Sequence, residues 1–176
     1  MLCTVLILCG CKNAEQDVNA STLNFYKNHQ SNYRDVDRKL LSKELSSLLD
    51  KSIAREAFEA DWTAKSASPT DKPFFIGADV FASHLEGEFS FAVNKITVNA
   101  NKANVVMDLT STFVATNSVE KWTEEIILID ENGWKVDDII YPKCEGYFDG
   151  NGTLKKCLRT ISIPPKQKHI RLNYVG

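Results

Sequence analysis

The sequence predicts an α+β fold, with N-terminal helices packed on a curved antiparallel sheet. Three observations carry that expectation. Apolar residues recur at steps of three and four through residues 20–62, the spacing of a buried helix face. From Phe89 onward the period falls to two, the alternation of half-buried strands. Glu131-Asn132-Gly133 then separates two apolar runs, and Asn-Gly supplies the positive φ angles of a tight hairpin. Helices first and a meander afterwards is an α+β order.

The first helix is expected within residues 20–33, where Thr22, Phe25, Tyr26, His29 and Tyr33 share a face and Ser21 is placed to cap it. A second is expected over 40–62. Leu41, Leu45, Leu48, Leu49, Ile53, Ala57 and Phe58 form its core stripe, and Ser42 caps its regular part. Lys43, Glu44, Asp50, Lys51, Arg55, Glu56 and Glu59 fall on the other face. Residues 64–73 carry two prolines and read as a loop. An aromatic stretch with Phe74, Phe75 and Phe81 follows.

The first strand is read from Phe89-Ser90-Phe91 to Val98, and 99–102 is a turn. Val105, Met107, Leu109 and Phe113 alternate in the second strand, and 122–129 is the third, with 126–129 buried on both faces. The fourth, 134–141, pairs with it across the Asn-Gly turn. Residues 154–163 are expected to return as a further strand before Pro164-Pro165. The last ten residues read as a loose tail, or as an edge strand in which Ile170, Leu172 and Tyr174 alternate.

A chain of 176 residues is expected to form one domain. Its 43% hydrophobic and 25% charged residues exclude disorder for most of its length. A formal net charge of −2 argues against nucleic acid as a partner. No apolar run reaches the roughly 18 residues of a membrane-spanning helix.

The apolar run at 2–9 has the length of a signal-peptide core and ends in Leu8-Cys9-Gly10-Cys11. That string resembles the bacterial lipobox. Its cysteine thiol takes a diacylglycerol as a thioether, and the small residue before it fits the peptidase. The alternative is a hydrophobic first strand or core segment with buried thiols. No basic residue precedes the run, so a start upstream of Met1 is expected. Lys12, rather than Asp, follows Cys11, which favours the outer membrane by analogy with enteric lipoproteins. Each buried acyl methylene contributes about 0.8 kcal/mol, and two or more chains hold a protein stably. The expected organisation is a signal at 1–10, a polar lipidated tether at 11–20, one α+β domain at 21–165 and a tail at 166–176.

Of 5 cysteines, Cys3 and Cys9 would leave with the signal and Cys11 would be acylated. Cys144 and Cys157 remain, an even pair for an oxidising periplasm. The Gly-rich segment between them can reverse the chain, and closing such a loop contributes about 3 kcal/mol. The alternatives are two unbridged thiols or a zinc pair. The scattered His29, His84 and His169 do not supply close-spaced zinc ligands.

Asn24-Phe25-Tyr26, the stretch LSKELSSLL at 41–49, Asp71-Lys72-Pro73-Phe74 and the hairpin WTEEIILIDENGWKVDDI at 122–139 together resemble the YbjP-like lipoproteins, a domain family of unknown function. The resemblance covers about residues 21–141 and implies a nuclear-transport-factor or ketosteroid-isomerase-like cone, a bent sheet around helices. The segment 144–157 and the tail depart from it. The cone hosts isomerases, dehydratases and binding modules, so it does not fix a function.

Strict alternation sets Asp138 in phase with Trp134, Val136 and Ile140, pointing inward, whereas a carboxylate accepting hydrogen bonds at the sheet edge is the favoured reading of Asp137 and Asp138. His84, Glu86 and Glu88 share a side if extended, but a solvated loop accounts for them. The segment 149–154 echoes an EF-hand, yet Tyr147 and Leu158 occupy the end ligand positions and exclude calcium. Asn19 and Asn151 head glycosylation sequons in form only. No catalytic residue, metal or cofactor is expected. The expected function is a non-enzymatic envelope lipoprotein, membrane-bound through its lipid, whose periplasmic domain binds another envelope protein. A periplasmic immunity or inhibitor lipoprotein, and a small-ligand or enzymatic cone, are the alternatives.

Overall fold

The computed structural model of the chain describes residues 7–28, 32–65, 79–82, 89–113, 118–141 and 152–162. Helices α1 (Ile7–Asn28) and α2 (Lys43–Lys65) precede strands β1 (Phe89–Asn99), β2 (Lys102–Phe113), β3 (Ser118–Asp130) and β4 (Trp134–Ile140), and helix α3 (Leu154–Ile161) follows. The strands form one antiparallel sheet in the order β1-β2-β3-β4. The fold is α+β, as expected.

Helix α1 starts well before the expected first helix. Val18 is fully buried, and Thr22, Phe25 and Tyr26 continue its face at helical spacing. Residues 13–20, expected in a tether, are helical in α1, with Val18 among them buried. Ser21 lies inside α1 and caps nothing. Thr22 completes the turn by donating its hydroxyl to the Val18 carbonyl at 2.8 Å. Tyr33 lies beyond the helix end, in a turn where Asn32 Oδ1 accepts from the Arg34 amide at 3.1 Å. His29 falls outside the described residues.

A short 3₁₀ turn (Arg38–Leu40), capped by Asp37, leads to Leu41, which bridges in parallel to Val136. The Ser42 amide donates to the Val136 carbonyl at 2.8 Å, and its hydroxyl caps α2 by accepting from the Leu45 amide at 3.0 Å. Leu45, Leu48, Leu49, Ser52 and Glu56 are the buried stripe. The expected stripe is right as far as Ile53, which packs half-buried against the core. A polar pair, Ser52 and Glu56, continues the buried face, and Ala57 and Phe58 point away.

The sheet presents Phe89, Phe91, Val93, Ile96, Val98, Val105, Met107, Leu109, Trp122, Ile126, Leu128, Val136 and Ile139 to the helices. Two bulges set this phase. One skips Asn94 in β1, and the other skips Asp137 in β4. A bulge bends its strand and raises the local twist. Asn132 and Gly133 take φ of 60° and 109° in the β3–β4 turn, the conformations Asn-Gly was expected to supply.

The expected strand at 154–163 is a helix. Leu154, Cys157, Leu158 and Ile161 lie at steps of three, one and three, and Thr153 accepts from the Lys156 amide as N-cap. Lys155-Lys156 interrupts the two-residue alternation a strand needs, whereas the apolar residues gather on one helical face. Leu154 and Leu158 are fully buried, and α3 packs on α2 and β4.

Candidate functional site

A buried polar group lies on the inner face of the sheet. Alternation along β3 puts Glu124 in phase with Trp122, Ile126 and Leu128, and it is 1% exposed. Its Oε1 accepts from the Trp122 indole at 3.2 Å. The Tyr26 hydroxyl donates to the Phe81 carbonyl at 3.1 Å, and Tyr141 donates to the neighbouring Val80 carbonyl. Burial holds the Tyr26 hydroxyl well above its usual acid range, and the negative charges of Glu124 and Asp79 raise it further. This Tyr–Asp–Glu group was not found by sequence reasoning. The signal for it is a carboxylate in phase with core residues along 122–128. Phe25, Phe81, Tyr26 and Phe91 are in ring contact around it. At this depth the group is buried among the side chains of the core.

The two candidate aspartates are tied down. Asp137, displaced by its bulge, accepts from the Ser42 hydroxyl at 2.7 Å and from the Lys155 ammonium at 2.9 Å. Asp138 accepts from the backbone amides of Lys155 at 2.8 Å and Ile139 at 3.0 Å, so it serves the N-terminus of α3. The bulge breaks the strict alternation that set Asp138 in phase with Val136. Lys155 also bonds Glu44 at 2.7 Å, and Arg159 bonds the same carboxylate. Hydrogen bonds from Lys155 and then Arg159 hold Glu44 below the usual carboxylate range. Burial alone would lower Lys155, but its bonds to Glu44 and Asp137 outweigh that and raise it. The network clamps α3 to α2 and β4.

The outer face of α2 is different in kind. Its first half and the preceding 3₁₀ turn border a groove of about 600 Å³ lined by Arg38, Leu41, Lys43, Ser46, Asp50 and Lys51, among others. Arg38 pairs with Asp50 at 3.0 Å. Among the described residues the Lys43 and Lys51 ammonium groups have no ion-pair partner. Further along the same face, Phe58 and Trp62 are stacked with centroids 6.4 Å apart and are 57% and 66% exposed. Arg55 lies over the Phe58 ring at 5.7 Å and pairs with Glu59, while Lys65 pairs with Asp61.

Of the other sequence-predicted residues, Cys11 lies in α1 and Cys157 is half-buried on α3 against the core. Cys144, His84, Glu86, Glu88, His169 and the segment 149–151 fall outside the described residues, and so does the expected Cys144–Cys157 bridge. Among the described residues no group of three or more His, Cys, Asp or Glu is arranged to hold a metal ion. No described helix is long and apolar enough to cross a membrane. Compared with protein-family models, curated proteins and solved structures, the chain matches none.

Proposed function

We propose that this chain is a non-enzymatic bacterial lipoprotein, anchored through Cys11 to the outer membrane, whose periplasmic domain binds another envelope protein. The observation that carries the binding role is the filled inner face of the sheet. Phe25, Tyr26, Phe81, Met107 and Leu109 are at most 3% exposed and pack together between the sheet and its helices. Recognition is then left to the surface, where Phe58 and Trp62 stand exposed. The lipid anchor is supported by the string Leu8-Cys9-Gly10-Cys11. The bent sheet and its covering helices, together with the residues 122–139, support kinship with the YbjP-like lipoproteins and their cone fold. A Cys144–Cys157 disulfide fits the same compartment.

On this reading, Cys11→Ala moves the protein from the membrane to the soluble fraction, read by fractionation and by loss of metabolic palmitate labelling. An unchanged distribution rejects the anchor. Crosslinking with mass spectrometry in native membranes identifies the bound protein, and turnover of a small molecule by the purified chain rejects the binding role.

A further inference from the structure

We infer that the outer face of α2 is the docking surface, and that it takes an acidic segment of a partner protein bearing at least one large apolar side chain. This deepens the binding role proposed above and rests on it. The groove and the aromatic pair lie on one helical face, because Lys43, Ser47, Asp50, Lys51, Ala54, Phe58, Asp61, Trp62 and Lys65 succeed one another at steps of three, four or less. From Lys43 to Trp62 the helix rises about 28 Å, the span of about nine extended residues.

The charge along that face is uneven. At the groove end, Arg38 pairs with Asp50, and the carboxylates of Asp37 and Glu131 are taken up by the backbone amides of Lys39 and Lys43, which leaves the Lys43 and Lys51 ammonium groups unmatched among the described residues, in a protein whose formal net charge is −2. Lys39 is exposed beside them, and the Lys135 ammonium bonds its carbonyl at 2.6 Å. At the aromatic end, Arg55 and Lys65 are neutralised by Glu59 and Asp61. Complementarity therefore assigns acidic residues of the partner to the groove and apolar ones to Phe58 and Trp62, which fixes the direction in which the segment lies. Exposed Trp beside Arg is the composition of an interface anchor.

A protein segment suits this face better than a bilayer. Glu56, two residues before Phe58, bonds Tyr33 and Arg34 in the turn that follows α1. From Cys11 to Asn28 helix α1 rises about 26 Å, so the aromatic pair is set toward the end of that helix away from the acylated residue.

The test selects displayed random peptides of about twelve residues, long enough to cover the face, on the purified full chain. Enriched peptides should join an acidic run to a large apolar residue. Lys43→Glu/Lys51→Glu should weaken them about tenfold or more, and Phe58→Ala/Trp62→Ala comparably. Enrichment of basic or uncharged peptides, or unchanged binding in both double variants, overturns the inference. So does Lys43- and Lys51-dependent sedimentation of the unacylated Cys11→Ala chain with vesicles of anionic phospholipid. In native membranes, a photo-crosslinking residue at Ala54 should capture an acidic segment. Adducts at the exposed Val119 of β3 but none at Ala54 overturn this surface and leave the binding role standing; adducts at neither remove both.

Discussion

In the first half of α2, Leu45 and Leu49 are fully buried against β4 and α3; in the second half, Phe58 and Trp62 are more than half exposed. Both sets sit at helical spacing. What differs is the surface each meets. The first half lies with Leu41, Val136, Leu154 and Leu158 in one core, whereas the buried side of the second half is held by Glu56, which bonds Tyr33 and Arg34. A helix that continues past its apolar support keeps its hydrogen bonds but leaves its aromatic residues for something else. Periodicity reports that a face is apolar; it does not report what covers it.

The largest test of this contrast is Leu49→Ala. It leaves a cavity in a fully buried site and should lower unfolding free energy by about 2–5 kcal/mol in urea titration. A loss near zero would mean that the first half is no better supported than the second.

Lys155→Met should cost about 1.5–3 kcal/mol, because it strips Asp137 and Glu44 of a charged donor while keeping the side-chain volume. The pH dependence sharpens this. Glu44 is lowered in the folded state, so its contribution is present above the ordinary carboxylate value of about 4.3 and is lost as pH falls through the folded value. Lys155 is raised, so its contribution is present below about 10.4 and is lost as pH rises through the folded value. The variant should flatten both limbs of a plot of urea midpoint against pH.

Glu56→Ala should cost about 1–3 kcal/mol by leaving the buried Tyr33 hydroxyl without its acceptor, and should loosen amide protection in the second half of α2 more than in the first. The smallest effect is expected from Trp62→Ala, within about 0.5 kcal/mol of the parent in thermal melts. A cost of several kcal/mol there would mean that Trp62 is packed, and the contrast between the halves would collapse.

The sheet was legible because its signals are local. Alternation placed β1 to β4, and Asn132-Gly133 placed their last turn. The cap at Ser42 was legible for the same reason. The start of α1 was not, because Val18 is a lone apolar residue between Gln16-Asp17 and Asn19, and only the sheet beneath it makes that residue an anchor. Helix α3 is not legible in the same way, because apolar residues flanking two lysines fit a returning strand by composition, and only their helical spacing sets them on one face. Glu124 was not legible because nothing in the sequence marks which of the carboxylates along 122–128 is buried; in the fold it meets the Trp122 indole and lies near Tyr26. Asp138 was placed by an alternation that the neighbouring bulge interrupts.

The bulge at Asp137 separates two properties of one strand. Val136 opposes Leu128 and Ile139 opposes Ile126, so removing Asp137 would leave both apolar residues in register and the hydrogen-bonded ladder uninterrupted. What would go is one of the ties between the last helix and the strand, the contacts of Asp137 to Ser42 and Lys155, while Asp138, Glu44 and the buried Leu154 and Leu158 still hold that helix. A single-residue deletion in the middle of a strand, ordinarily ruinous, would here be read as the loosening of one contact. The inserted aspartate is thus an addition to a meander that is already complete without it.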